Sequence, residues 1–236
     1  MPRHPAIVAE EPFVPSSALA SVVIDEPVDA NGEAESHGAD VHADELSFTA
    51  MMTAHRRGAF LAGRRALRAA LHEIAPDIAS YPLLQTGRGA PRLPEGWTGS
   101  ISHKRTRAIA MAAPSSGGLI GVDLEERPTA RDLERPSIAS KILTAAERDV
   151  IDNLDAQAHR EATLVRFAIK EAVYKAIDPY VGRYVRFTEV ELGLSDDGHV
   201  AVRLLLPEAE MRRVYVDARW RFEDRWIVAI ARSVRR

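Results

Sequence analysis

Four alternating runs of polar and apolar residues close the chain, and they constrain its architecture more than any other feature. FTEVELGLS and HVAVRLLL flank the turn DDG, and VYVDARWRF and RWIVAIAR flank Glu223–Asp224. Alternation of period two on both sides of a short polar turn is the pattern of an antiparallel hairpin. Just upstream, REATLVRFAIKEAVYKAI carries apolar residues at helical spacing among good helix formers. Hairpins beside long helices specify the α+β class.

The first half repeats the mixture. LASVVI at Leu19–Ile24 predicts a short strand, and LSFTAMMTAHRRGAFLAGRRALRAALHEI, without proline, predicts one helix from about Ser47 to His72. Gly63 inside that helix costs about 1 kcal/mol against alanine, which points to close packing there. QTGRGAPRLPEGW has the Gly and Pro spacing of a loop. TGSISH and RAIAMAA read as strands joined by the basic turn Lys104–Arg107, and GLIGVDLE as a third strand. SIASKILTAAERDVIDNL is helical in pattern, and Thr144 with Glu147 forms a capping box for a helix starting at Ala145. Setting Phe60 against Phe167 also sets Arg64 against Glu171 and Arg68 against Lys175, as a duplication would, although helix-rich sequence can match itself by chance.

Composition removes several classes of function. The net charge is −3, so nonspecific nucleic-acid binding is not expected and local basic clusters matter more than the total. The chain has no cysteine, which excludes disulfides, thiolate metal sites and a cysteine nucleophile. MPRHPAIVAEEPF lacks the apolar core of a signal peptide, and no apolar run approaches the roughly 20 residues of a membrane helix. A cytoplasmic protein without membrane or nucleic-acid partners is expected. From Asp25 to Glu45 there are eight acidic residues and no Lys or Arg, which reads as an irregular surface segment.

Four stretches carry side chains that suit chemistry. In GVDLEERP, Asp123 and Glu125 are two apart on a strand and present their carboxylates on one side, while Gly121 allows a backbone or ligand to approach closely. Paired oxygen donors suit Mg²⁺ or Mn²⁺; two solvated acids at a strand end are the alternative. In FAIKEAVYKAI, Glu171 and Lys175 share a helical face, either as a third carboxylate and a phosphate-binding ammonium or as a surface ion pair worth about 0.3–0.5 kcal/mol. Lys170 beside them could reach the same ligand. SISHKRTR sets Ser102, His103 and Lys104 at a strand end next to a basic turn, an anion site or ordinary surface. The basic helix AHRRGAFLAGRRALR offers Arg56, Arg57, Arg64 and Arg68, with Arg88 and Arg92 in the loop beyond, either as phosphate-binding forks or as a solvated face.

Taken together, HRRGAFLAGRRALR, GRGAPRLPEGWTGSISHKR, IGVDLEERP and FAIKEAVYKAI followed by YVRFTEVEL resemble the surfactin-type 4′-phosphopantetheinyl transferases, within them the enterobactin-synthetase branch. The GxDxE and KEAxYKA elements in that order are the specific part of the resemblance. It implies two pseudo-symmetric halves, each a helix on an antiparallel sheet: residues 1–115 for the coenzyme A nucleotide, and 116–236 for metal and catalysis. It further implies Mg²⁺ held by Asp123, Glu125 and Glu171, with Mn²⁺ also open, and coenzyme A as co-substrate. Glu171 would be the base, with Lys175, Asp123 and His103 also catalytic. Arg56, Arg64, Arg88, Ser102, His103, Lys170 and Lys175 would hold coenzyme A. The acceptor would be a serine of an apo acyl or peptidyl carrier protein, the by-product adenosine 3′,5′-bisphosphate, and the enzyme a monomer. Arg127, Arg131 and Arg135 would be the candidates to face the acidic carrier, with a solvated basic loop as the alternative.

Two positions depart from the family pattern. Phe167 stands where some relatives have Trp, and Ala90 where many have Lys, which passes that phosphate contact to Arg88 or removes it. The carrier and its pathway (fatty acid, polyketide, nonribosomal peptide or siderophore) are not specified by the sequence. A Mg²⁺-dependent phosphohydrolase or nuclease with the same acids is the rival enzyme. A noncatalytic coenzyme A- or carrier-binding module is the other alternative, and the presence of all three acids with Lys175 and His103 speaks against it.

Overall fold

The computed structural model describes residues 6–8, 14–24, 41–207 and 214–235. Most of the acidic stretch, residues 25–40, lies outside them. The chain divides into two compact units, Met1–Ile120 and Gly121–Arg236.

The first unit is a helix on a four-stranded antiparallel sheet. Strands β1 (Ala6–Val8), β2 (Ala18–Val23), β3 (Trp97–His103) and β4 (Arg107–Pro114) are ordered β1-β2-β4-β3. Helix α1 spans Ala43–Thr49, α2 Ala54–Ile74 and α3 Pro76–Ala79. Ala66, Leu67, Ala70 and Leu71 of α2 bury against Ala18, Ala20, Ala110 and Ala112 of the sheet. Small residues on both sides let the layers approach closely. A Cβ placed on Gly63 would sit 2.8 Å from Ile101 Cγ2, so the packing expected at that glycine is present.

The single helix expected from Ser47 to His72 is in fact two, parted at residues 50–53. The reason is long-range. Glu45, in the first turn of α1, is fully buried and takes hydrogen bonds from Arg68 on α2 and from the Leu83 amide. Holding that carboxylate inside sets α1 apart from α2. The acidic run therefore ends in ordered structure: His42 caps α1 through Nδ1, which accepts from the Asp44 amide at 3.1 Å.

The second unit places one long helix on a five-stranded sheet. Its elements are β5 (Leu119–Glu126), α4 (Ala139–Ile142), α5 (Ala145–Ile151), α6 (Ala156–Val181), β6 (Val190–Leu194), β7 (His199–Leu204), β8 (Val214–Glu223) and β9 (Trp226–Arg235). The strand order is β5-β9-β8-β7-β6, and the two C-terminal hairpins pair as the alternation predicts. Ala168, Ile169, Ala172, Val173, Ala176 and Ile177 of α6 form the core with Val190, Leu192, Ile227, Ala229 and Ala231. Asp155 caps the start of α6, and Gly182 ends it at φ 69°, where a side chain would be strained.

The helical pattern of SIASKILTAAERDVIDNL is also divided, into α4 and α5, with the Thr144–Glu147 capping box at the second start. Among the described residues, no helix is long and apolar enough to cross a membrane.

Candidate active site

Strand β5 and helix α6 bring the second unit's chemistry together. A Cβ on Gly121 would lie 1.9 Å from the Ala172 carbonyl oxygen, so the missing side chain is what lets the helix backbone rest on the strand. Two residues along β5, Asp123 is 4% exposed and Glu125 7% exposed. Strand geometry points both to one side. On α6, Lys175 donates to Val122 O at 2.9 Å and to Asp123 Oδ1 at 2.7 Å. Glu171 lies one turn before Lys175 on the same helical face and is half-buried.

Among the described residues, no three His, Asp or Glu side chains are gathered closely enough to hold a metal ion, so the expected Asp123–Glu125–Glu171 triad is not assembled as a closed ligand set. The cation set against Asp123 is the Lys175 ammonium. In kind, however, the donors fit a hard divalent cation. All three are carboxylates, two of them nearly buried on one strand face, the third on the helix that crosses it, with no imidazole or thiolate.

Lys170 does not stand where a coenzyme A contact was expected. It is fully buried, and its ammonium donates to Glu147 Oε2 at 2.6 Å, Ile142 O at 2.8 Å and Phe187 O at 3.1 Å. Burial pushes it down from the ordinary lysine value, and Glu147 opposes that shift. Glu147, itself 2% exposed, also accepts from the Thr144 and Leu192 amides. Sequence reasoning missed Glu147 as a partner of this helix. Its capping box with Thr144 was visible, but a local cap gives no sign of a lysine 23 residues later.

The first unit carries the remaining expected residues. Arg56 and Arg88 are exposed, Ser102 is buried and His103 is exposed at the end of β3. Residues 84–92 form a small hairpin, with Arg92 N donating to Leu84 O and Thr86 N to Ala90 O, and Arg88 stands in its turn. Arg64 differs from an open ligand contact. It is 5% exposed, donates through Nε and Nη2 to the carbonyls of Leu83 and Leu84, and lies over the Phe60 ring. Desolvation lowers its guanidinium to about 10, against the pull of Glu45. Arg68 is likewise committed, to Glu45 and to the Ala79 and Tyr81 carbonyls. Half of the basic face read from the sequence therefore anchors residues 79–84 to α2.

The arginines after β5 are partly occupied as well. Arg127 pairs with Glu161 at 2.8 Å and lies over Phe222, and Arg135 pairs with Asp132. Arg131 is exposed.

Comparison with known proteins gives this arrangement a class. Residues 119–231 match the 4′-phosphopantetheinyl transferase superfamily, and residues 44–113 match the 4′-phosphopantetheinyl transferase N-terminal domain. The chain is 30% identical to 4′-phosphopantetheinyl transferase Svp of Streptomyces mobaraensis over 78% of its own length and 72% of that protein. It is 28% identical to 4′-phosphopantetheinyl transferase Npt of Nocardia iowensis over 92% of its length and 96% of that protein. Similarity to enterobactin synthase component D of Salmonella typhimurium is 29% identity over 77% and 74% of the two chains. The chain belongs to the 4′-phosphopantetheinyl transferase superfamily and is an enzyme of that class.

Proposed function

We propose that the enzyme transfers the 4′-phosphopantetheine group of coenzyme A to a serine hydroxyl of an apo acyl or peptidyl carrier protein. The observation that carries this reading is the juxtaposition of Lys175 with Asp123, with Glu125 on the same strand and Glu171 one helical turn away. A pyrophosphate needs acids to organise its counter-charge and an ammonium beside its oxygens, and this site offers both.

In the reaction the serine oxygen bonds to the β-phosphorus of coenzyme A. The bond from that phosphorus to the bridging oxygen breaks, and the electron pair leaves with adenosine 3′,5′-bisphosphate. Glu171 takes the hydroxyl proton, directly or through one water, because an unactivated serine is a poor nucleophile. Lys175 sets its ammonium against the oxygen that gains charge. A divalent cation held by Asp123, Glu125 and Glu171 would supply neutralisation of the pyrophosphate oxygens. Arg56, Arg88, Ser102 and His103 are the residues proposed to hold the nucleotide end. Arg64 would act there chiefly by fixing the base of the hairpin that bears Arg88.

Incubation of the protein with apo carrier, coenzyme A and Mg²⁺, followed by intact mass measurement, tests the reading. One phosphopantetheine should be gained, and the gain should be lost with EDTA and with Glu171→Gln. No gain across acyl and peptidyl carriers, with coenzyme A bound, would overturn it. Hydrolysis of pyrophosphate or nucleic acid without a carrier would replace it with the phosphohydrolase reading.

A further inference from the structure

We infer that the buried Lys170–Glu147 pair positions Glu171, and that both members are positioning residues for the transfer proposed above, on which this inference rests. Lys170 immediately precedes Glu171 on α6, about 100° round the helix from it, and its side chain is fully buried whereas Glu171 is half-buried. Its three acceptors come from three different places: the end of α4, the first turn of α5 and residue 187 after α6. Glu147 ties the same point to β6 through the Leu192 amide, 2.9 Å from Oε1. Arg166, one turn back on α6, is also buried, and Glu147 is the charge that favours its ionised form.

The helix is therefore fixed twice over one turn. On one side the Ala172 carbonyl rests against Gly121, and Lys175 reaches Asp123. On another, Lys170 is held by Glu147. Gly121 and Lys175 hold the helix along one line, and the Lys170 anchor holds it along a second, so rotation about its axis is resisted from both sides. A carboxylate about 5–6 Å from that axis moves about 2 Å for a rotation of about 20°. A misplacement of about 1 Å can cost about 10²-fold in rate. Packing alone would not need ions here, since apolar residues of similar volume stabilise a core as well or better. Three directed acceptors, one of them the Glu147 carboxylate, fix an orientation, which apolar packing does more loosely.

The test compares wild-type protein with Lys170→Met/Glu147→Gln, which keeps an amide acceptor for Leu192 and leaves no charge buried in the pair. Three quantities are read: thermal unfolding, Mn²⁺ affinity by calorimetry, and transfer kinetics. The double variant should fold, with a midpoint lowered because buried Arg166 loses the Glu147 charge, and bind Mn²⁺ about tenfold more weakly. Its kcat should fall about 10²-fold, with KM for coenzyme A unchanged. If it does not fold, Glu147→Asp, which keeps both charges and shortens one arm, should show the same pattern. A folded variant with wild-type Mn²⁺ affinity and kcat overturns the inference, as does a rise in coenzyme A KM with kcat retained. Absence of transfer in the wild type, by contrast, removes the transferase reading itself, and the Mn²⁺ comparison still tests the positioning.

Discussion

The Lys175 ammonium lies 2.7 Å from Asp123 Oδ1 and 2.9 Å from Val122 O, so a single helical side chain grips both the main chain and the acid of the facing strand. Two of its three N–H donors are thereby oriented before any ligand arrives. Orientation of this kind is what makes a cation effective against a developing oxyanion, since nothing has to reorganise during the reaction.

Lys175→Met should lower the transfer rate by about 10²-fold, the loss typical of one oriented donor. It should also lower the melting temperature, because the Asp123 side chain is 6% exposed and loses this cation. Single-turnover transfer followed by intact mass, alongside thermal unfolding, checks both. An unchanged rate would remove Lys175 from the chemistry.

Two glycines should differ in how much they lose on replacement by alanine. At Gly121 the new Cβ would meet the Ala172 carbonyl oxygen at 1.9 Å and Ala176 N at 2.9 Å, both backbone, so α6 must lift from β5. Urea unfolding of Gly121→Ala should show a loss of about 3 kcal/mol or more, with activity falling as well. At Gly63 the obstacle is Ile101 Cγ2 at 2.8 Å, a branch on Cβ that moves only if χ1 of this strand residue or the backbone gives way. The gain of about 1 kcal/mol in helix propensity offsets only part of that cost, and Gly63→Ala should lose about 1–2 kcal/mol, less than Gly121→Ala.

Much of this was legible in the sequence because it is local. Alternation gave the C-terminal hairpins, GLIGVDLE read as a strand where β5 lies, the spacing of Asp123 and Glu125 followed from that strand, and Thr144–Glu147 marked the start of α5. What was not legible depends on partners far apart in the chain. Lys170 and Glu171 are adjacent charges in one helix, and nothing near them says that one is sunk against Glu147 and the other is half-exposed. Arg64 and Arg68 read as a basic face, whereas their acceptors are carbonyls and a carboxylate brought in by other segments. The break between α1 and α2 lies among good helix formers, and its cause is the burial of Glu45.

Glu45 and Asp44 adjoin in the acidic run but should differ sharply on substitution. Glu45 is fully buried and holds Arg68 and the Leu83 amide, so Glu45→Ala leaves a nearly buried guanidinium and an amide without this acceptor. Its expected cost is about 3–5 kcal/mol. The Asp44 side chain is 62% exposed, and Asp44→Ala should change stability by no more than about 0.5 kcal/mol. Urea unfolding of the two variants makes the comparison.

Glu189 supplies a test by pH. Its carboxylate accepts from Arg183 Nη1 and Nη2 at 3.2 and 2.9 Å and from the Arg186 amide at 2.8 Å. The Arg183 hydrogen bonds chiefly, and the Arg186 amide next, hold it down from the ordinary 4.5 to about 2. Because the folded state binds the proton less readily than the unfolded state, this stabilisation is complete above about pH 4.5 and disappears as pH falls toward 2. Thermal unfolding of wild type and Glu189→Gln should therefore show a gap in melting temperature that is constant near neutrality and narrows steadily below about pH 4.5. A gap that stays the same through that range would mean that the carboxylate is not held in its ionised form by these arginines.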